Sequence, residues 1–406
     1  MRTTLRALGL LFAAALAAGC GKEPPAGDRA QVIKVISSLP RQGSAQAQTI
    51  TVENGIRMAF EDAGWKAGAF TIEFEPWDDA SAAKGAWDPA VEAANADRAV
   101  KDPDIMAYIG TYNSGAAKIA MPKTNQASLL MMSPANTAAE LTKSGFGDPD
   151  EPGRYRPTGK VNYFRVVPAD DLQGSLGADW AKRLGARSVF VLDDREAYGK
   201  GVADIFARRA KEIGLTVLGH EGIDPMAAEF KSLMAKIAQS GADLVYFGGT
   251  TQSGASQLVK DLRAASKTAK FMCPDGCFEN AFIQGAGAEN ATDCYLTFGG
   301  VPPEHQTGKG KAFVERYRQK YGSMPEAYSV YGYEAAAAVL EAIRRSGKKD
   351  REAIRAACAT IKDFDGALGK WSFDENGDTT LTTMSGNTVR NGKFEFAGIL
   401  QRAADR

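Results

Sequence analysis

The chain has 406 residues, 44% of them hydrophobic, with 49 basic and 49 acidic side chains and a formal net charge of zero. That balance leaves no basic stripe for nucleic acid, and the length suits two hydrophobic cores better than one. The two histidines, His220 and His305, stand in no metal-ligand spacing, and there is neither a G-x-S-x-G elbow nor a Walker lysine. No metal, no cofactor and no catalytic group is therefore expected.

Arg2 and Arg6 flank the start of an apolar run over residues 8–18, which has signal-peptide length and is too short to span a bilayer. Residues 1–19 read as a signal peptide. Ala17-Ala18-Gly19 followed by Cys20 resembles the lipobox of bacterial lipoproteins, in which the cysteine is lipidated. Leu16 departs from that pattern, standing four residues before the cysteine rather than three; an ordinary secretory signal is the alternative. Residues 20–30 are polar and rich in Pro and Gly, the composition of a tether.

From residue 31 onward, short apolar runs alternate with amphipathic stretches. Strands are predicted over 32–36, 70–74 and 105–109, with helices over 50–62 and 88–100 between them. The rhythm restarts at 161–164. Strands at 188–192, 215–218, 244–247 and 270–273 then alternate with helices at 201–213, 229–240 and 256–265. This alternation implies parallel sheets covered by helices, and there are too many units for one sheet, so two lobes are expected. The break falls at 144–160, whose Asp148, Asp150 and Glu151 fit no EF-hand spacing and read as a solvated loop. Cys273, Cys277, Cys294 and Cys358 lie in an exported domain, where disulfides are permitted and three full pairings are open. A Cys273–Cys277 bridge is one expectation.

Two loops at strand ends are rich in hydroxyl and small residues. Gly110-Thr111-Tyr112-Asn113-Ser114-Gly115 precedes a helix start, where backbone N–H groups and the Ser114 hydroxyl suit a carboxylate. Ser133-Pro134-Ala135-Asn136-Thr137 follows the next strand; Thr137 could cap a helix, with Glu140 completing a capping box. Simple capping explains either residue alone, but the pair points to binding. Asp275, in Pro274-Asp275-Gly276, is a standard turn residue that also ends a buried strand.

These loops occur together with Ser37-Ser38-Leu39-Pro40, Ala197-Tyr198-Gly199-Lys200-Gly201, Val245-Tyr246-Phe247-Gly248-Gly249-Thr250 and Phe271-Met272-Cys273-Pro274-Asp275-Gly276. In this order, over roughly residues 31–390, they resemble the leucine/isoleucine/valine-binding proteins of bacterial transporters. The resemblance implies an α/β fold of the type I periplasmic binding protein: two Rossmann-like lobes with parallel sheets, joined by crossover segments. The first lobe would take residues 31–155 and 300–370, the second 156–299 and 371–406. Ser114, Ala135 and Thr137 match positions that hold an amino acid's carboxylate and amino group. Tyr198 matches a tyrosine that closes over the ligand, and Asp275 an acid that pairs with the ammonium. The family has Glu where Asp275 stands, and often Tyr where Thr250 stands, which leaves side-chain specificity open. Trp77, Ser38 and Arg41, with Gln42, are candidates for the pocket wall; packing for Trp77 and an exposed loop for Arg41 are the alternatives.

The resemblance further implies a monomer without enzymatic activity. It would work in the periplasm or on the outer face of the cell envelope, held to the membrane by its lipid anchor. Its ligand would be a branched-chain or other neutral amino acid, and its partner an ABC transporter permease. A sensory module of the same fold and, more remotely, an exported hydrolase are the rival readings.

Overall fold

The computed structural model describes residues 31–402, so the expected signal peptide, Cys20 and the whole tether lie outside the described residues. The first lobe is laid down by β1 (Val32–Leu39), β2 (Lys66–Ala67), β3 (Phe70–Asp78), a hairpin of β4 (Ala80–Ser81) and β5 (Ala86–Trp87), then β6 (Ile105–Gly110), β7 (Leu130–Ser133) and β8 (Tyr163–Arg165). Its sheet has the order β2-β3-β1-β6-β7-β8, parallel except for β2. β6 and β7 are buried along their whole length, which is why they read as continuous apolar runs rather than alternating ones. Helices α1 (Gln46–Asp62), α2 (Pro89–Lys101) and α3 (Ser114–Gln126) connect these strands. Asp88 caps α2, accepting the Ala90 N–H at 2.8 Å, and Pro89 fills the first helical position, where no donor is needed.

The chain then crosses to a second sheet, β10-β9-β11-β12-β13-β16-β17, formed by β9 (Ser188–Asp193), β10 (Thr216–Gly222), β11 (Leu244–Gly248), β12 (Lys270–Cys273), β13 (Cys294–Gly299), β16 (Met384–Arg390) and β17 (Lys393–Ile399). It is parallel through β13 and antiparallel beyond. Helices α4 (Asp170–Arg183) and α5 (Ala197–Glu212) pack together against it. Between β13 and β16 the chain returns to the first lobe for α6 (Ser329–Ser346) and the hairpin of β14 (Phe364–Gly366) and β15 (Gly369–Trp371). α6 lies directly on α1. A Cβ on Gly55 would sit 2.1 Å from the Ser329 carbonyl oxygen, and one on Gly332 would sit 2.3 Å from that of Val52, so both crossing points require glycine.

Three expectations change. The lobe boundary falls after Arg165 rather than at 156, because β8 pairs with β7 and Asn162 is bound into the first lobe, accepting from Asn125 at 2.6 Å and donating to the Leu129 carbonyl at 3.0 Å. The 144–160 loop is not wholly solvated: Glu151 and Tyr155 are buried and hydrogen bonded to one another, with Lys118 3.1 Å from Glu151. The four described cysteines are free, buried thiols packed in the lobe cores, and Cys273 and Cys277 form no bridge. Among the described residues there is no cluster able to hold a metal ion and no helix long and apolar enough to cross a membrane.

One buried acidic pair carries a testable consequence. Glu92 accepts hydrogen bonds from Ser38 (2.6 Å) and Tyr108 (2.5 Å), and Asp79, also fully buried, lies close enough to feel its charge. Burial pushes both carboxyls up from their ordinary range. The folded state therefore holds a proton that the unfolded chain releases, and stability rises as pH falls from the raised folded value toward the ordinary carboxyl range near 4. Urea titrations at pH 5, 6, 7 and 8 should show this slope, and Glu92→Gln, which cannot titrate, should flatten it; an unchanged slope would remove Glu92 as its source.

Candidate functional site

The carboxyl ends of the parallel strands of both lobes face one another, the place where ligands bind in such sheets. β6 ends in the loop to α3, β7 in the 133–138 loop, β9 and β11 in the segments before α5 and after Gly248, and β12 in Pro274-Asp275-Gly276. These loops enclose an inner chamber of about 20 Å³, lined by Ser114, Ala135, Thr137, Tyr198, Thr250 and Asp275 together with Tyr112, Asn113, Gly276 and Tyr328. All six residues singled out in the sequence thus meet at one point. That volume holds about one water, so a larger molecule can enter only if the lobes part or a tyrosine moves.

Asp275 is buried, and both of its oxygens are engaged by phenols. Tyr198 donates to Oδ1 at 2.8 Å and Tyr328 donates to Oδ2. The Gly276 N–H donates to the Tyr198 oxygen at 3.0 Å, fixing the ring from the turn itself. Burial raises the Asp275 carboxyl above its ordinary value, and the two tyrosine hydrogen bonds oppose that rise. A second carboxylate, Asp170 at the first residue of α4, is also fully buried. Its own burial and the charge of Asp275 drive it well above the ordinary range. The Thr137 hydroxyl lies close to it, yet neither the hydroxyl nor either Asp170 oxygen finds a well-aligned partner.

Ser114 and Thr137 are not caps. Asn113 holds the N-cap position of α3 without a side-chain bond, and the Ser114 oxygen instead accepts the Ala138 N–H at 3.4 Å from the neighbouring loop. No capping box forms at Thr137; the turn at Ala139–Leu141 has no side-chain cap, and Glu140 pairs with Lys118 at 2.9 Å. Both hydroxyls are left for the chamber, Ser114 at the N-terminus of α3, where the helix dipole favours an anion. Thr250 does cap, in a reciprocal capping box with Ser253, and its side chain stands where chamber and cleft mouth meet.

The two chamber loops of the first lobe are locked by residues whose side chains replace missing backbone pairing. Asn136 donates to the Tyr112 carbonyl at 2.9 Å, while its oxygen accepts the Thr111 N–H and the Tyr163 hydroxyl, each at 3.2 Å. Ser133 accepts the Asn136 N–H at 2.8 Å. Arg165 is wholly buried. Its Nε lies 2.7 Å from Asp378 Oδ1, and its Nη1 donates to the carbonyls of Asn136 (3.3 Å) and Ala138 (2.8 Å), on either side of Thr137. The proximity of Arg165 holds the Asp378 carboxyl below its ordinary value despite burial.

The proposed wall residues lie elsewhere. Trp77 is buried against Ala96 and Ala99 of α2, its indole bonded to Glu75 at 3.1 Å and its ring stacked under Arg98, whose guanidinium carbon is 3.9 Å away. Strand alternation in β3 turns it to the helix-covered face. Ser38 is consumed by Glu92 and Asn95, Arg41 pairs with Glu53 at 3.1 Å, and Gln42 with Asp78 at 2.9 Å. Among the residues that sequence reading missed are Tyr328, Tyr112, Asp170 and Trp87. Tyr328 comes from the chain's late return to the first lobe, with no local signal in the sequence to set it apart from other core aromatics.

Two α/β lobes share one polar chamber at their strand ends, a cleft suited to closing on a small ligand. The sequence profile of the periplasmic binding protein family matches residues 32–393, and the chain belongs to that family. It is 29% identical to an amino acid binding protein of Pseudomonas aeruginosa over 302 residues, 74% of this chain and 76% of that protein. It is 26% identical over 382 residues to the leucine-, isoleucine-, valine-, threonine- and alanine-binding protein of the same organism, covering 93% and 94% of the two chains. The crystal structure of a leucine-binding protein from Thermotoga maritima superposes with a TM-score of 0.80 at 26% identity, covering 91% of this chain and 99% of that one. The fold is that of the type I periplasmic binding proteins.

The Arg165 pair gives a prediction about stability rather than binding. Arg165→Met leaves buried Asp378 only the looser pairing with Lys143, 3.6 Å away, so the loss should approach but not exceed the roughly 3–5 kcal/mol of an uncompensated buried charge. Adding Asp378→Asn to the same chain should recover part of that loss. Thermal or urea unfolding of the two variants measures both effects, and equal stability of Arg165→Met and the parent would refute the assignment.

Proposed function

We propose that this protein captures a neutral amino acid outside the cytoplasm by closing its two lobes, and presents the closed form to the permease of an ABC transporter. The observation that carries this reading is the inner chamber itself. It sets a buried carboxylate on the second lobe opposite hydroxyls and a helix N-terminus on the first. A zwitterion needs that pairing: an acceptor for its ammonium and donors for its carboxylate, within one head group's width. In this reading Ser114 and the start of α3 take the ligand carboxylate, Ala135 and Thr137 bind the head group from the same lobe, Asp275 takes the ammonium, and Tyr198 and Thr250 bound it from the second lobe. Relatives named for binding leucine, isoleucine, valine, threonine and alanine support an aliphatic or small neutral ligand. The resemblance of residues 17–20 to a lipobox supports a lipid anchor at Cys20. Cys20→Ser should abolish lipid labelling and release the protein from membranes; a variant that stays labelled would refute the anchor.

Asp275→Asn tests the binding reading. The substitution keeps the shape and removes the charge, so the ligand loses a charge-assisted hydrogen bond of about 1.5–3 kcal/mol, roughly ten- to a hundredfold in affinity. The parent's affinity should also fall as pH drops through the raised carboxyl pKa of Asp275, since a protonated Asp275 cannot pair with an ammonium. The Asn variant should lack that fall. Isothermal titration against a panel of neutral amino acids decides it: unchanged affinity in Asp275→Asn makes Asp275 a turn residue only.

A further inference from the structure

The inner chamber opens into a second, larger one. This outer chamber, about 440 Å³, shares Asn113, Ser114, Tyr198 and Thr250 with the inner one and continues to the cleft mouth. A ligand whose head lies at Asp275 and Ser114 extends its side chain into it. Two large apolar side chains line it, one from each lobe: Trp87 on the β4–β5 hairpin and Met226 just beyond β10. Neither belongs to a hydrophobic core. Met226 is 78% exposed, more than any other large apolar side chain among the described residues. Trp87 is half-buried, and its indole rests on Gly115, where a Cβ would sit 2.6 Å from the ring, so it roofs the start of α3. Large apolar groups left in water at a cleft are the kind that a ligand covers.

The polar groups of the chamber are spent on one another. Asp194 accepts the Ser253 hydroxyl at 2.6 Å and the Glu196 N–H at 3.0 Å, while Ser253 and Thr250 close their reciprocal cap. The Asn113 amide oxygen and the Gln252 amide nitrogen are shut off from water and do not face the chamber. Lys84 and Glu196 remain, with opposite charges on the two walls. A charged side chain of either sign would meet its like as well as its opposite.

Size and shape then choose among neutral side chains. Cavities of roughly 300–1,000 Å³ hold drug-sized molecules, so a branched side chain of three or four carbons leaves much of this one to water. A long flexible chain could fill it, but loses several rotors on binding, whereas an aromatic side chain orders only about two. Aromatic pairs also gain beyond the area they bury, and a methionine sulfur favours the edge of a ring.

We infer that the ligand is an amino acid with an aromatic side chain, which lies along the Trp87 indole and is bounded by Met226 from the second lobe. One ring thereby touches both lobes, and the side chain as well as the head holds the cleft shut. The inference rests on the amino-acid reading of the inner chamber and names its side-chain class.

The test is isothermal titration of the protein with phenylalanine, leucine, norleucine and alanine; norleucine offers a long apolar chain without a ring, and alanine reads the head group alone. Phenylalanine should bind at least tenfold more tightly than norleucine or leucine. Trp87→Ala and Met226→Ala should each shrink the ratio of phenylalanine to alanine affinity at least threefold, and Trp87→Phe should keep most of it. Leucine or norleucine binding as tightly as phenylalanine would overturn the inference and leave the amino-acid reading standing. A phenylalanine preference that survives Trp87→Ala and Met226→Ala alike would overturn the assigned contacts. Binding of none of the four would overturn both the inference and the reading beneath it.

Discussion

The buried guanidinium of Arg165 is the constraint on which the chamber depends. It stands at the last residue of β8, where the chain leaves the first lobe, and its partner Asp378 lies on the segment that leads to β16, where the chain leaves that lobe for good. The ion pair therefore ties two crossovers together at one point. The same guanidinium holds the carbonyls on both sides of Thr137 and a bond to the Thr142 hydroxyl, so the loop that lines the chamber has no freedom to turn its peptides around. A lysine could not do this, because it lacks the planar fork that serves a carboxylate and carbonyls together. Such a pair is weak as a source of stability, since both charges are stripped of water. Its value here is geometric, fixing Thr137 in place before any ligand arrives.

A second constraint is the burial of acid at the lobe junction. Asp275 and Asp170 both lie in the closed interior, each raised by burial and Asp170 further by the charge of Asp275. Two like charges so placed disfavour the fully ionised closed state. In the proposed reading, the ligand's ammonium beside them would relieve that repulsion, which favours a zwitterion over a simple anion. Phenols soften the problem at Asp275 by donating to both oxygens, while Asp170 has no such aligned donor.

Much of this was legible in the sequence, for a physical reason. Parallel strands buried on both faces leave continuous apolar runs, and 105–109, 244–247 and 270–273 could be read directly from them. The loops at their carboxyl ends are short, so chemistry at Ser114, Thr137 and Asp275 stood within a few residues of a recognisable strand end. What failed needed tertiary information. Trp77 sits beyond the strand predicted over 70–74, and only the pairing of β3 with β1 shows that the strand runs on to Asp78 and turns the indole inward. Tyr328 reaches Asp275 from 53 residues away in sequence, through a return crossover that no local pattern announces. The boundary near 156 was placed on a Gly- and Pro-rich loop, but three residues of strand after that loop still belong to the first sheet.

The bond between Tyr328 and Asp275 also joins the lobes, since α6 packs on α1 of the first lobe while Asp275 ends a strand of the second. Closure thus has a contact of its own, independent of ligand. A ligand shifts the equilibrium between open and closed forms only by the difference in its free energy with the two. An ammonium that merely replaced the Tyr328 phenol at Asp275 would contribute little to that difference. Its contribution comes from lone pairs of Asp275 that the phenols leave open, and from groups unpaired in the closed form, above all the Thr137 hydroxyl and Asp170. In the proposed reading, the unsatisfied atoms of the closed cleft are therefore where affinity would originate. The satisfied ones, Arg165 with Asp378 and Asn136 with both loops, keep those atoms in position.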